Sequence, residues 1–254
     1  MSLLTKLRAR RRARVKKLGK QALRALFDFL GRQSRVGDPT VFDSAQFPWT
    51  KELEAHWERV RAEVEALLEL REYLPSFQSI SPDQSRISDD DRWKVYVLYG
   101  FGYRSERDLR RCPETARLLG KIPDLETAMF SILSPGKRIK PHRGITKALI
   151  RCHLALIVPR DRASCAMRIG DHVYEWEPGK TLLFDDTTQH EVWNDTGEQR
   201  VVLLLDFRRP LRPLGDLVCR ALLRLLRMTA YVKDARRNQA AWEERFEAAA
   251  SKRG

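Results

Sequence analysis

The hydrophobic pattern of the chain changes period twice. Over residues 3–32 the apolar positions Leu4, Leu7, Val15, Leu18, Leu23, Leu26, Phe27 and Leu30 recur at helical spacing, which predicts a basic amphipathic helix. Gly37, Pro39 and Pro48 mark an extended connection. A second helix is expected over "PWTKELEAHWERVRAEVEALL", opened by Pro48, with Thr50 as N-cap and a stripe of Leu53, Trp57, Val60, Val64, Leu67 and Leu68. Residues 72–92, rich in Ser, Pro and Asp, read as loop; "WKVYVLYG" reads as a strand and "CPETARLLGKI" as a short helix closed by Gly120. From 125 to 207 the period drops to two. Seven β-type runs follow: "LETAMFSIL", "ALIRCHLALIV", "CAMRIG", "HVYEW", "KTLLFD", "HEVWN" and "RVVLLLDF". Turn residues separate them and no helix intervenes, so an antiparallel sandwich or barrel is expected rather than βαβ units. Helical spacing returns over 214–249. The expected organisation is a basic helical segment 1–36, a β domain with a leading helix 37–213, and a helical segment 214–254.

Charge sharpens this division. The net charge is +14, with +11 in residues 1–36 and +7 in residues 208–237, which leaves the centre mildly acidic. Two basic surface segments attached to an ordinary globular domain are implied. The four cysteines are scattered without a C-x-x-C pair, so a disulfide framework is not expected and a reducing compartment fits. The longest apolar candidate for a membrane span is interrupted by Arg220, Arg224 and Arg227. No apolar stretch of the secretory kind follows the N-terminal charges.

One strand poses a chemical question. In "IRCHLALIVP", Arg151 and His153 share a face, while Ile150, Cys152, Leu154, Leu156 and Val158 take the other. Two further histidines, His142 and His190, lie in or beside strands. Neutral imidazole is the usual ligand of Fe(II) in oxygenases, commonly as His-x-Asp/Glu with a distant second His. Here the first element is His142-Arg143-Gly144, with glycine in the carboxylate slot. A single histidine in a strand is ordinarily structural, and spacing alone leaves that reading open.

The segments "CPETARLL", "FSILSPGKRIKPHRG", "IRCHLALIVP", "WEPGKTLLFDDTTQHEVWND" and "RVVLLLDFRRPL" resemble the aspartyl/asparaginyl β-hydroxylase family. The resemblance implies a mainly β fold with flanking helices, a double-stranded β-helix (a cupin-like jelly roll). It also implies an Fe(II)- and 2-oxoglutarate-dependent dioxygenase that uses O2 to hydroxylate an unactivated C–H bond. Glycine in place of the carboxylate ligand is a trait of that family, so Gly144 agrees with it. By the same resemblance His142 and His190 match the metal ligands. Arg200 and Ser131 match the partners of the distal carboxylate of 2-oxoglutarate, and Arg151 and His153 match the contacts to its other end. Asp185 and Asp186 are expected to shape a turn or support His190, with a carboxylate offered to iron as the alternative. His172 is expected at the surface, His56 at the surface or in packing, and Trp176 and Trp193 in the core.

The family holds two substrate classes, acyl chains of bacterial membrane lipids (lipid A or ornithine lipids) and Asp or Asn side chains of proteins. The "HRG…K" string ending at Lys147 resembles the lipid branch. The 214–228 helix, with apolar Leu217, Val218, Leu222, Leu225 and Met228 and basic Arg220, Arg224 and Arg227, has the pattern of a helix lying in a membrane interface. An anionic membrane surface is therefore the expected partner, with a cytoplasmic location peripheral to the inner face of the membrane. No base-reading motif supports nucleic acid.

Overall fold

The computed structural model describes residues 18–19, 21–100 and 102–250. The apolar positions of residues 1–17 lie outside the described residues. The chain folds around eight strands in two antiparallel sheets: β4 (Leu125–Leu133), β5 (Lys137–His142), β6 (Leu149–Ile157), β7 (Cys165–Ile169), β8 (His172–Glu175), β9 (Thr181–Phe184), β10 (His190–Asn194) and β11 (Arg200–Arg208). Three earlier strands, β1 (Val41–Phe42), β2 (Trp93–Gly100) and β3 (Tyr103–Arg104), extend the larger sheet at its two edges. Its order is β1-β9-β6-β11-β4-β2-β3, and the smaller sheet runs β5-β10-β7-β8. Every connection of the β4–β11 run crosses between the sheets except the β7–β8 hairpin, which is the connectivity of a jelly roll. The protein is a double-stranded β-helix with flanking helices.

The two-residue period divides each strand of the large sheet between faces. On β6 the even positions Ile150, Cys152, Leu154 and Leu156 are fully buried. Helix α3 (Trp57–Leu68) lies over that strand through Val60, Val64 and Leu67. The odd positions Arg151 and His153 turn into the roll, opposite Asp206 and Leu204 of β11. On β2, Tyr96 meets Trp242 and Phe246 of the long C-terminal helix α8 (Ala230–Ala250), with ring centroids 5.6 and 5.7 Å apart.

The N-terminal helix, α1, covers residues 21–33. It packs with α7 (Pro213–Arg227) around Leu30, Cys219 and Leu223, joined by Ala148 and Leu149 at the start of β6. Gly215 makes this close approach possible, since a Cβ there would lie 2.5 Å from Cβ of Gln33.

Several local expectations are corrected. The 48–68 helix breaks at His56, whose φ of −118° separates α2 (Trp49–Ala55) from α3. Thr50 is not an N-cap: it is buried in the first turn, and its hydroxyl donates to Phe47 O at 2.8 Å. Residues 72–92 contain helix α4 (Phe77–Ile80) and 3-10 turns rather than plain loop. Helix α5 (Glu106–Arg111) precedes α6 (Pro113–Leu119), and the C-terminal helical region divides into α7 and α8 around Met228 and Thr229. Trp176 is core, but Trp193 is only half-buried. The basic 208–237 segment is less free than its charge implies. Arg209 is buried between Asp38 and Asp185, Arg208 pairs with Asp124 and Asp216, and Arg227 pairs with Glu126.

Candidate active site

His142 ends β5 and His190 begins β10, and the two residues are direct cross-strand partners. Their ring centroids lie 4.1 Å apart. A register shift beside the pair marks a bulge, a common device for re-aiming a side chain at a site. Nδ1 of His142 lies 2.8 Å from Lys140 O, and Nδ1 of His190 lies 2.8 Å from Thr188 O. A carbonyl only accepts, so each Nδ1 carries the proton and each Nε2 keeps its lone pair. Burial, foremost, pulls both imidazoles down to about 4, so both are neutral at pH 7. Two fixed neutral imidazoles of this tautomer are metal-ligand material.

Acids surround the pair. Asp186 Oδ1 lies 3.3 Å from Nε2 of His190 and 2.5 Å from Nη1 of Arg151. Nε of Arg151 donates to Asp206 at 2.8 Å. Arg151 thus bridges Asp186 and Asp206 beside the histidines, and burial raises the Asp206 carboxyl. A lone pair facing a carboxylate oxygen calls for a cation between or beside them. Among the described residues no group of three His, Cys, Asp or Glu is arranged to hold a metal. Gly144 explains part of this. A Cβ there would fall 1.7 Å from Asp186 Oδ2, so the space of a carboxylate on residue 144 is taken by Asp186 itself.

Deeper in the roll the charge reverses. Arg200 is 1% exposed, and no ion pair to it is found among the described residues. Burial pulls its guanidinium down to about 10. It donates to Ser131 O at 3.2 Å and lies 3.5 Å from Ser131 Oγ, while its Nε has no partner. Ser131 Oγ also accepts from Trp93 Nε1 at 3.0 Å, which leaves the hydroxyl proton available. Both ring nitrogens of His153 and Nε1 of Trp176 are buried without partners. Burial holds His153 neutral. Orphaned buried polar groups are costly, and several in one place fit a polar ligand. These groups form a continuous wall. Arg200 stacks on Trp176 at 4.7 Å, Trp176 faces His153 at 6.1 Å, His153 meets Phe184 at 5.3 Å, and Phe184 meets His190 at 5.5 Å. The donor set suits a divalent metal at one end and an acid anion at the other.

Five of the six residues expected at the site, His142, His190, Ser131, His153 and Arg200, thus line one interior. The sixth, Arg151, lines the cavity beside His142, where it is held between Asp186 and Asp206. Asp206 was legible as an acid in the apolar run "LLLDF", two residues from Leu204 and in phase with Arg200. Trp176 and Phe184 had no such signal. His172 is exposed and His56 half-buried. Lys147 is structural, paired with Asp38 at 2.7 Å and Asp185 at 3.4 Å.

A cavity of about 740 Å³ opens beside His142. Thr127, Met129, Arg151, Leu204 and Asp206 form its floor, and Val97 and Trp93 one side. Ile80, Ile87, Leu226 and Val232, from α4, the following turn, α7 and α8, supply an apolar outer wall.

Residues 54–210 match the Aspartyl/Asparaginyl beta-hydroxylase family. The chain belongs to that family. It is 43% identical over 219 residues to an ornithine lipid ester-linked acyl 2-hydroxylase of Rhizobium tropici, which covers 86% of this chain and 78% of the relative. It is 31% identical over 165 residues to the aspartyl/asparaginyl beta-hydroxylase of Homo sapiens, covering 63% of this chain but only 21% of that protein. Human aspartate beta-hydroxylase domain-containing protein 2 is 28% identical over 200 residues, covering 72% of this chain and 53% of the relative. The chain is therefore an enzyme of a hydroxylase family.

Proposed function

We propose that the protein is an Fe(II)- and 2-oxoglutarate-dependent dioxygenase that hydroxylates an acyl chain of a membrane lipid of the ornithine-lipid or lipid A type. One observation carries the substrate reading: the cavity that starts at His142, the cross-strand partner of His190, continues along an apolar wall. The Rhizobium tropici relative, an ornithine lipid ester-linked acyl 2-hydroxylase, supports the same choice.

His142 and His190 would hold the iron through Nε2. Arg200 and the Ser131 hydroxyl would take the distal carboxylate of 2-oxoglutarate, with His153 towards its other end. Iron and 2-oxoglutarate, when bound with O2, supply an oxidant that turns C–H into C–OH while the keto acid becomes succinate and carbon dioxide. The chain's own task is placement. Thr188 O and Lys140 O fix the imidazole tautomers. Arg151 holds the Asp186 carboxylate beside His190. Met129, Leu204 and Val97 give the cavity an apolar lining that would position a methylene near the iron.

The same reading makes the protein peripheral at the cytoplasmic face. Among the described residues no helix is long and apolar enough to cross a membrane, and the four cysteines are free and buried.

The test is mass spectrometry of extracted bacterial lipids incubated with the enzyme, Fe(II), 2-oxoglutarate and O2. One added oxygen on an acyl chain, matched by succinate, is expected. Unchanged lipids with an Asp- or Asn-containing peptide hydroxylated instead would replace this reading with protein β-hydroxylation. His142→Ala and His190→Ala should each abolish succinate formation and metal binding by titration; full turnover in either would overturn the ligand assignment.

A further inference from the structure

We propose that the outward faces of α1 and α7 form a docking surface for an anionic lipid bilayer, placed so that the cavity mouth opens beside the membrane. The inference rests on the lipid reading of the cavity and adds the surface through which substrate is reached.

Helix α7 is apolar around more of its circumference than the protein covers. Cys219 and Leu223 are buried against α1 and β6, with Leu222 and Leu226 partly so. Yet Leu214, Leu217, Leu225 and Met228, on the remaining side, are 59–65% exposed. Three large apolar side chains on the fifteen residues of α7, with Met228 at its C-cap, exceed the scatter ordinary at a surface. Leu18 and Leu23, at the N-terminal end of the α1 region, are exposed too.

The surface and the cavity share walls. Leu149 and Leu226 belong both to the α1–α7 cluster and to the cavity lining. Leu225 and Met228 flank Leu226 in sequence. Ile145, three residues from His142, is 49% exposed at the cavity edge. An acyl chain leaving a bilayer against α7 would meet Leu226, Leu149 and Ile145 on its way to His142.

Charge selects an anionic bilayer over a second copy of the chain or another protein face. Arg220 and Arg224 are exposed on α7 and Arg212 at its N-cap, and no ion pair of Arg224 is found among the described residues. Arg24 and Arg32 are exposed on α1. The acids of these two helices are Asp28 and Asp216, and Asp216 is neutralised by Arg208 and Arg220. The chain leading into α1, residues 1–17, adds eight Lys/Arg and no acid. An apolar strip edged by cations suits the headgroup boundary of acidic lipids.

The experiment is flotation of the full chain with vesicles of phosphatidylcholine alone or mixed with phosphatidylglycerol. The wild type should float with the mixed vesicles and not with phosphatidylcholine. Leu217→Glu/Leu225→Glu should cut the bound fraction about tenfold or more. Its melting temperature and its manganese-supported 2-oxoglutarate binding should stay at the wild-type level. Arg220→Glu/Arg224→Glu should weaken binding to the mixed vesicles. A wild type that ignores both vesicles, or a leucine variant that floats as well as wild type, overturns the proposal. A dimer split by the leucine substitutions, without vesicle binding, assigns the face to a second copy and overturns it too. Hydroxylation of the same lipid dispersed in detergent separates the two claims. No product there sinks the lipid reading, whereas a leucine variant active on dispersed lipid and inactive on vesicles supports docking.

Discussion

A guanidinium buried to 1% exposure without a carboxylate partner is an expensive arrangement for the folded chain. Arg200 bears that cost for the anion it would bind, which predicts a trade between stability and function. Arg200→Met, similar in volume and uncharged, should raise the unfolding free energy of the ligand-free protein by about 1–4 kcal/mol. The same substitution should abolish saturable binding of 2-oxoglutarate. Denaturant melts with calorimetric titration check both, and a destabilised variant that still binds the keto acid would contradict the assignment. Gly144 makes a second claim at this scale. A methyl group there would strike the Asp186 carboxylate at 1.7 Å, so Gly144→Ala must push Asp186 away from Arg151 and His190. The expected cost is about 1–3 kcal/mol of stability, with weakened metal affinity in titration. Gly144→Asp, which restores the common ligand pattern on paper, should be worse than Gly144→Ala because that space is already occupied.

The elements hold these side chains in register, and their legibility from sequence differed for physical reasons. Strands β4, β6, β10 and β11 were plain because each buries one or both faces, so the two-residue period or an apolar run survives. Strand β5 lies at the edge of the small sheet, where Arg138, Lys140 and Pro141 are exposed, and it read only as an approach to His142. The break between α2 and α3 was hidden because Leu53 and Val60 keep helical phase across His56. The ion pairs that hold the β9–β10 turn were invisible, since Lys147, Asp185 and Arg209 meet only after folding. One such long-range device is testable by itself. Helix α6 has no capping side chain of its own. Glu63 from α3 instead accepts from Glu114 N at 2.6 Å, Thr115 N at 2.9 Å and the Thr115 hydroxyl at 2.6 Å. Glu63→Ala should therefore cost about 1–2 kcal/mol in denaturant melts, through lost capping and lost charge at a helix N-terminus. The KM for 2-oxoglutarate should not move, because α6 lies outside the cavity lining.

At the scale of the whole molecule, the cavity is walled by a helix that meets the roll beside a buried carboxyl. Helix α8 contributes Val232 and Gln239 to the cavity wall. It reaches back to α5 through Gln239, whose amide lies 3.4 Å from Asp108 Oδ2 and 3.1 Å from Glu243 Oε1. Tyr103 donates to Glu243 at 2.9 Å. Asp108 is buried, and burial pushes its carboxyl up to about 7, a hydrogen bond from Ser105 opposing the shift and the nearby Glu243 charge adding to it. In the unfolded chain Asp108 gives up its proton near pH 4, but the folded chain keeps it to near neutrality. The folded state thus binds more protons across that window, so stability falls as pH rises from about 4 to about 7, with a slope of up to roughly 1.4 kcal/mol per pH unit from this group. Above pH 7 both states are ionised at this position and the slope vanishes. Asp108→Asn removes the titration while keeping an amide that still meets Gln239. The difference between wild-type and variant unfolding free energies, measured by urea melts at successive pH values, should grow in favour of the variant across the window and level off above it. A difference that stays flat from pH 4 to 8 would show that Asp108 ionises normally in the fold.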